Sequence, residues 1–91
     1  MIKVFQMAKS HDSFSYGMGD FDPVKNIDKY VHVADLNVNT LDEAFEVGNV
    51  GPEEKYTRYS RMHSVSVGDI LEMDGIKYVV AIFGFDRLEV A

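Results

Sequence analysis

The chain has 91 residues, of which 46% are hydrophobic, so it is long enough for one domain with a core of its own. Fifteen acidic and nine basic side chains give a net charge of −6, which argues against a protein that covers duplex DNA with a basic face. The absence of cysteine excludes thiol catalysis, disulfides and cysteine-ligated zinc.

The first part of the chain predicts two strands separated by a long loop. Residues 2–8 and 30–36 are short and rich in β-branched and aromatic side chains, which favours strands. Residues 9–22 combine glycines with Ser and Asp side chains, a composition typical of a loop. Asp22 and Pro23 are typical of the start of a short helix, with Asp22 as the N-cap and proline in the first turn.

Two helices are predicted in the middle of the chain. Thr40 and Glu43 form a capping box, in which the threonine hydroxyl accepts from the backbone N–H of Glu43. Gly48 is predicted to end this first helix. A second helix is predicted to begin at Pro52, because acidic residues follow it at once and arginines come later, the order that the helix dipole favours.

The last third of the chain is predicted to be β. Valines and serines alternate over residues 64–67, and residues 70–73 are expected to pair with 76–83 across the hairpin turn Asp74–Gly75. The end of the second of these strands is apolar on both faces, which predicts the central, buried strand of the sheet. Residues 85–90 are expected to form a last edge strand.

This order of elements predicts a single α+β domain over residues 1–91. We expect an antiparallel sheet of about four to five strands with one or two short helices. The predicted core consists of large apolar side chains from the strands and from the first helix: Val4, Phe45, Val65, Val67, Leu71, Tyr78, Val80 and Ile82.

A short motif covers the last third, namely His63-Ser64-Val65-Ser66-Val67-Gly68-Asp69-Ile70, then Tyr78-Val79-Val80 and the pair Gly84-Phe85. This pattern resembles the YodL-like domain family of bacteria and their mobile elements, in which a serine-rich core is followed by a turn, a tyrosine-rich strand and a Gly-Phe pair. The chain also resembles small uncharacterised proteins of bacteriophages. The resemblance implies an accessory protein of a phage or mobile element, with no enzyme activity and no catalytic residues.

Binding to a host protein is the first functional hypothesis. Four large apolar side chains lie close together in the polar loop, where they either fold back onto the core or remain exposed for a partner. Residues 31–60 carry six acidic and two basic side chains, and clustered carboxylates can imitate a phosphate track. Inhibition of a host defence or nucleic-acid enzyme would suit this charge. The predicted partner-binding residues are Phe14, Tyr16, Met18, Asp20, Phe21, Glu43 and Glu46.

Two other functions are weighed against protein binding. Residues 55–61 interleave cations and aromatic rings, a composition that binds single-stranded nucleic acid or a polar ligand, although neighbouring carboxylates oppose a nucleic acid. A hydrolase would use His11 or His63. However, His11-Asp12-Ser13 are adjacent in sequence, whereas a catalytic triad needs a spatial arrangement.

No cofactor and no metal ion are expected. Asp20 and Asp22 lie near His11, but the spacing does not complete a calcium-binding loop. The polar residues of the motif are expected to satisfy backbone amides in a tight turn, namely His63, Ser64, Ser66 and Asp69.

We expect a protein of the bacterial host's cytoplasm that does not contact a membrane. Lys3, Gln6 and Lys9 interrupt the apolar start, so it does not have the pattern of a signal peptide. No segment approaches the ~20 apolar residues of a membrane-spanning helix.

Overall fold

The computed structural model describes residues 1–7, 15–19 and 21–88, and it confirms an α+β fold. Six antiparallel strands form one open sheet in the order β3-β2-β1-β4-β5-β6, and one α-helix packs on it. The strands are β1 (Ile2–Met7), β2 (Tyr30–Leu36), β3 (Tyr56–Arg58), β4 (Ile70–Met73), β5 (Ile76–Val80) and β6 (Phe85–Arg87), and the helix is α1 (Leu41–Val50). Short 3-10 helices cover Ser15–Met18, Ile27–Lys29 and Glu53–Lys55.

Strand β1 lies at the centre of the sheet. It pairs with β2 on one side and with β4 on the other, and its side chains alternate between buried and more exposed positions. Ile2, Val4 and Gln6 point toward the helix side, where the core lies. A β-bulge between Val4 and Phe5 shifts the register with β2.

Half of the predicted core is correct. Val4, Val65, Leu71 and Val80 are buried, and Val67 and Tyr78 are half-buried. The prediction was wrong for Phe45 and Ile82, which are 39% and 59% exposed. Helix α1 packs through the small residues beside Phe45, and Ile82 lies beyond the end of β5. The observed core cluster contains Ile2, Val4, Val33, Ala34, Leu36, Val38, Ala44, Val47, Val65, Leu71 and Val80.

Helix α1 begins as predicted and ends later. The backbone N–H of Glu43 donates to Thr40 Oγ1 at 3.1 Å, which confirms the N-cap. Gly48 does not end the helix but lies inside it, buried against Val65. The helix instead ends at Val50 and is capped by Gly51, whose φ of 83° lies in the left-handed region. Gly48 therefore allows close packing rather than a chain reversal.

The predicted second helix was wrong. Only Glu53–Lys55 form one 3-10 turn, and the chain then continues as strand β3. Tyr56 pairs with Leu36 and Arg58 with Ala34, so this segment forms an edge of the sheet beside β2. Aromatic and β-branched side chains in this stretch favour the strand once β2 offers a free edge.

The C-terminal hairpin is confirmed, but its place in the sheet is not the predicted one. Asp74 and Gly75 have φ values of 54° and 80°, as a tight hairpin turn between β4 and β5 requires. Strand β5 ends at Val80 and is not the central strand. Residues 64–67 form no strand either. Strand β6 does lie at the edge, as predicted.

The predicted helix at Asp22 is replaced by a capped turn. Asp22 Oδ1 accepts from the backbone N–H groups of Val24 and Lys25, at 3.0 and 3.3 Å. The chain then forms turns over residues 23–26 and a 3-10 helix over Ile27–Lys29. The side chain of Asp22 thus caps the start of this segment, although no α-helix follows.

Candidate functional site

A buried polar cluster surrounds Asp69, the last polar residue of the sequence motif. Asp69 is 0% exposed, and its Oδ2 accepts from the backbone N–H of Ser66 at 2.9 Å and from Gln6 Nε2 at 3.1 Å. Gln6 also donates to the carbonyl of His63 at 2.9 Å and accepts from its N–H at 3.2 Å. The cluster therefore ties β1 to the loop that precedes β4.

The electrostatics of this cluster are set by burial. Burial raises the pKa of Asp69 to about 6, although the Ser66 amide, the nearby His63 and the Gln6 amide favour the charged form. Burial and the charge of Asp69 raise the pKa of Tyr30, whose hydroxyl donates to the Gly68 carbonyl at 2.5 Å. Asp69 Oδ1 and His63 Nε2 are buried and have no hydrogen-bond partner among the residues that the structure describes. Ser64, the remaining motif residue, is exposed.

Two aromatic side chains of the predicted partner-binding loop, Tyr16 and Phe21, turn back toward the sheet. The Tyr16 hydroxyl donates to Asp86, and burial and this bond raise the pKa of Tyr16 to about 12. Phe21 meets the ring of Tyr30 edge-on, at 6.4 Å between centroids. Met18 is 75% exposed. Phe14 and Asp20, the other predicted loop residues, lie outside the described residues.

An exposed apolar surface lies at the turn between β5 and β6, which we call the hairpin tip (residues 81–84). Ile82 is 59% and Phe83 is 93% exposed. Beside the tip, a groove of about 180 Å³ separates it from helix α1. The residues that line this tip groove are Asp42, Phe45, Val80, Ala81, Ile82, Gly84 and Phe85. The sequence prediction missed this surface because it placed Ile82 and Phe83 inside a buried strand.

The turn at Gly17 approaches Ile82 of the hairpin tip, and helix α1 contributes Asp42 and Phe45 to the lining of the tip groove. A Cβ added at Gly17 would lie 2.9 Å from Ile82 Cγ1, so the turn that carries Met18 packs on the tip. Helix α1 contains three carboxylates and no Lys or Arg. Glu43 and Glu46 are both exposed, and Asp42 lines the groove itself. The fold thus brings parts of the two predicted binding segments to one end of the molecule.

Two larger cavities lie on either side of Met62 and His63. One, of about 370 Å³, lies between the end of α1 and strand β3. The other, of about 460 Å³, lies between the ends of β1 and β2 and residues 60–63. Both volumes fall in the range of small-molecule sites in proteins.

The cations and rings of residues 55–61 largely interact with this chain's own groups. Arg58 forms two hydrogen bonds with the carboxylate of Glu53, at 2.7 and 2.8 Å, and lies 4.6 Å from the centroid of the Tyr56 ring. The Tyr56 hydroxyl donates to the carbonyl of Val47. Arg61 is exposed and has no hydrogen-bond or ion-pair partner in the described part of the chain.

A second polar cluster lies on the sheet face opposite α1. His32 Nε2 lies 2.7 Å from Asp35 Oδ1, and the Tyr59 hydroxyl donates to Asp35 Oδ2 at 2.6 Å. Burial would raise the pKa of Asp35, but these two bonds, together with the positive charge of nearby groups such as Lys3, lower it. Among the described side chains, which do not include that of Ser15, no Ser or Thr hydroxyl hydrogen-bonds to His32 or Asp35. The other candidate triad, His11-Asp12-Ser13, lies outside the described residues.

The described residues contain no group of three His, Asp or Glu side chains that could hold a metal ion. Among the helices that the structure describes, none is both long and apolar enough to cross a membrane. No family model matches the chain, and no curated protein or solved structure matches it.

Proposed function

We propose that the protein is a phage-type accessory protein of the bacterial cytoplasm that acts by stoichiometric binding to a host protein. The observation that carries the proposal is the hairpin tip, where Phe83 and Ile82 are exposed beside the tip groove. Burial of such a side chain in a partner contributes roughly 1.5–3 kcal/mol, so two of them can anchor a complex. The sequence resemblance to phage proteins supports the proposal of a phage-type protein.

The charge around the groove indicates the kind of partner. Asp42 lines the groove, and Glu46 is exposed on the same helix, which has no cation to neutralise them. A complementary surface therefore has an apolar pocket for Phe83 with Lys and Arg at its rim. Enzymes that bind nucleic acids carry such basic surfaces, so occupation of that surface would inhibit the enzyme.

Phe83→Ser is expected to weaken binding to the partner at least about tenfold, because it removes the most exposed anchor of the tip. The partner is first identified from host lysate by affinity capture and mass spectrometry. Its 1:1 complex with the purified protein is then measured by calorimetry. Val50→Ser is the matched control, since Val50 is 77% exposed and does not line the tip groove. Equal affinities of both variants and the wild type would contradict the proposal.

Glu46→Lys is expected to slow association with the same partner several-fold at low salt and to change dissociation little. The physical reason is the loss of long-range attraction between the acidic helix and a basic surface. Stopped-flow measurements at two salt concentrations would show this, with Asp28→Lys as an exposed control on the 3-10 helix Ile27–Lys29. An association rate that does not depend on salt in the wild type would show that charge does not steer the encounter.

A further inference from the structure

The larger of the two cavities beside Met62 and His63 has the type of lining found in small-molecule sites, and it lies apart from the tip groove. It has a volume of about 460 Å³ and shares no lining residue with the groove. Its described lining consists of Gln6, Met7, Val31, Val33, Ser60, Arg61, Met62 and His63. Ligand sites commonly combine such an apolar wall with a few polar groups at defined positions.

Most of the inner wall of the cavity is apolar or already hydrogen-bonded, and within the described lining the one buried side-chain atom without a partner is His63 Nε2. Met7, Val31, Val33 and Met62 supply apolar surface, and the thioether side chains can adapt to the shape of a guest. Gln6 is buried, and both ends of its amide are already hydrogen-bonded, to His63 and Asp69. An apolar body placed here would therefore leave no buried Gln6 group unsatisfied.

The charge of the described lining favours an anionic ligand. Arg61 is exposed at the cavity and has no hydrogen-bond or ion-pair partner in the described part of the chain. None of the described lining residues is Asp or Glu. A free guanidinium can hold a carboxylate through two parallel N–H···O bonds. Ser60 adds a hydroxyl on the same segment.

We propose that this cavity binds a small monocarboxylate with an apolar body, whose chain packs on the methionines and valines and whose carboxylate pairs with Arg61. Octanoate is the probe for this chemistry. The site is independent of the proposed protein binding, because neither Phe83 nor Glu46 lines it.

The five methionines of the chain allow a test with internal controls. In protein labelled with ¹³C at the methionine methyl groups, octanoate is expected to shift the signals of Met7 and Met62. The signals of Met1 and Met18, which are exposed, and of Met73, which packs against the core, should remain in place. No shift at Met7 and Met62 up to about 10 mM octanoate would overturn the proposal. Equal shifts at Met1 and Met18 would overturn it as well, since they would show non-specific adsorption.

Two further comparisons test the role of the charge. Arg61→Gln is expected to weaken octanoate binding about tenfold. Octanol, which has the same chain without the carboxylate, should bind the wild type about tenfold less tightly than octanoate. Phe83→Ser should bind octanoate like the wild type, so failure of the proposed protein binding and failure of this site can be distinguished. If octanol and octanoate bind equally, the assignment to a carboxylate is wrong.

Discussion

Replacement of Gly48 by Ala is expected to destabilise the protein by about 3 kcal/mol, although Gly→Ala inside a helix ordinarily stabilises it. A Cβ at this position would lie 2.3 Å from Val65 Cγ2 and 2.9 Å from Val65 Cβ. Neither helix α1 nor Val65 can move away easily, because the Val65 N–H donates to the Gly48 carbonyl at 3.2 Å and Val65 is buried in the core. Urea unfolding would measure the change in the free energy of unfolding.

A double-mutant cycle with Val65→Ala separates steric overlap from loss of helix stability. Val65→Ala alone is expected to destabilise the protein by about 2 kcal/mol, since it leaves a small cavity in the core. It also removes Cγ2, the atom closest to the added Cβ, so the double variant should be more stable than the sum of the single effects predicts. Additive effects, or a Gly48→Ala variant as stable as the wild type, would show that α1 does not pack as closely as described.

The free energy of unfolding is expected to fall by up to about 3 kcal/mol as the pH rises from about 4 to about 7, through the contribution of Asp69. Burial raises its pKa from 3.8 to about 6, so the folded state holds the proton more tightly than the unfolded chain. This contribution is complete below the unfolded pKa and is lost as the pH rises through the folded one. The groups that face the carboxyl are His63 Nδ1 at 3.8 Å, Gln6 Nε2, the Ser66 N–H and Tyr30.

The matched pair for this measurement is Asp69→Asn and Asp35→Asn. Urea unfolding over the same pH range should show a flatter dependence for Asp69→Asn than for the wild type. Asp35 has a lowered pKa, so its contribution has the opposite sign and is lost as the pH falls through its folded pKa. That loss lies mainly below about pH 4, so Asp35→Asn should leave the slope between about pH 4 and about pH 7 close to that of the wild type. An unchanged slope in Asp69→Asn would show that its carboxyl does not titrate in this window.

The elements that the sequence predicted correctly depend on local chemistry. The hairpin turn Asp74–Gly75 and the cap at Thr40 are determined by residues within three positions of each other. The wrong helix over residues 52–61 shows the limit of such signals. Its charge order suits a helix, but pairing of Tyr56 with Leu36 makes it a strand, and this partner is distant in sequence.

The same limit applies to the candidate sites. The motif identified Asp69 as a turn residue, but its contact with Gln6 follows from the pairing of β1 with β4. The exposure of Phe83 depends on where β5 ends, and an apolar run does not reveal that position. The glycine at position 84 was the sequence signal for a turn at that point, and the structure gives it a φ of 84°.

The central place of β1 has a consequence for how the protein folds during synthesis. Lys3 lies opposite Glu72 in the sheet, so the second side of β1 cannot be paired until residues 70–72 have left the ribosome. Until then a strand with one largely apolar face exposes a free edge, to which a chaperone or another nascent chain can attach. Such distant pairing is typical of domains that fold in milliseconds to seconds rather than microseconds. The nascent protein therefore depends on the rapid arrival of its C-terminal hairpin.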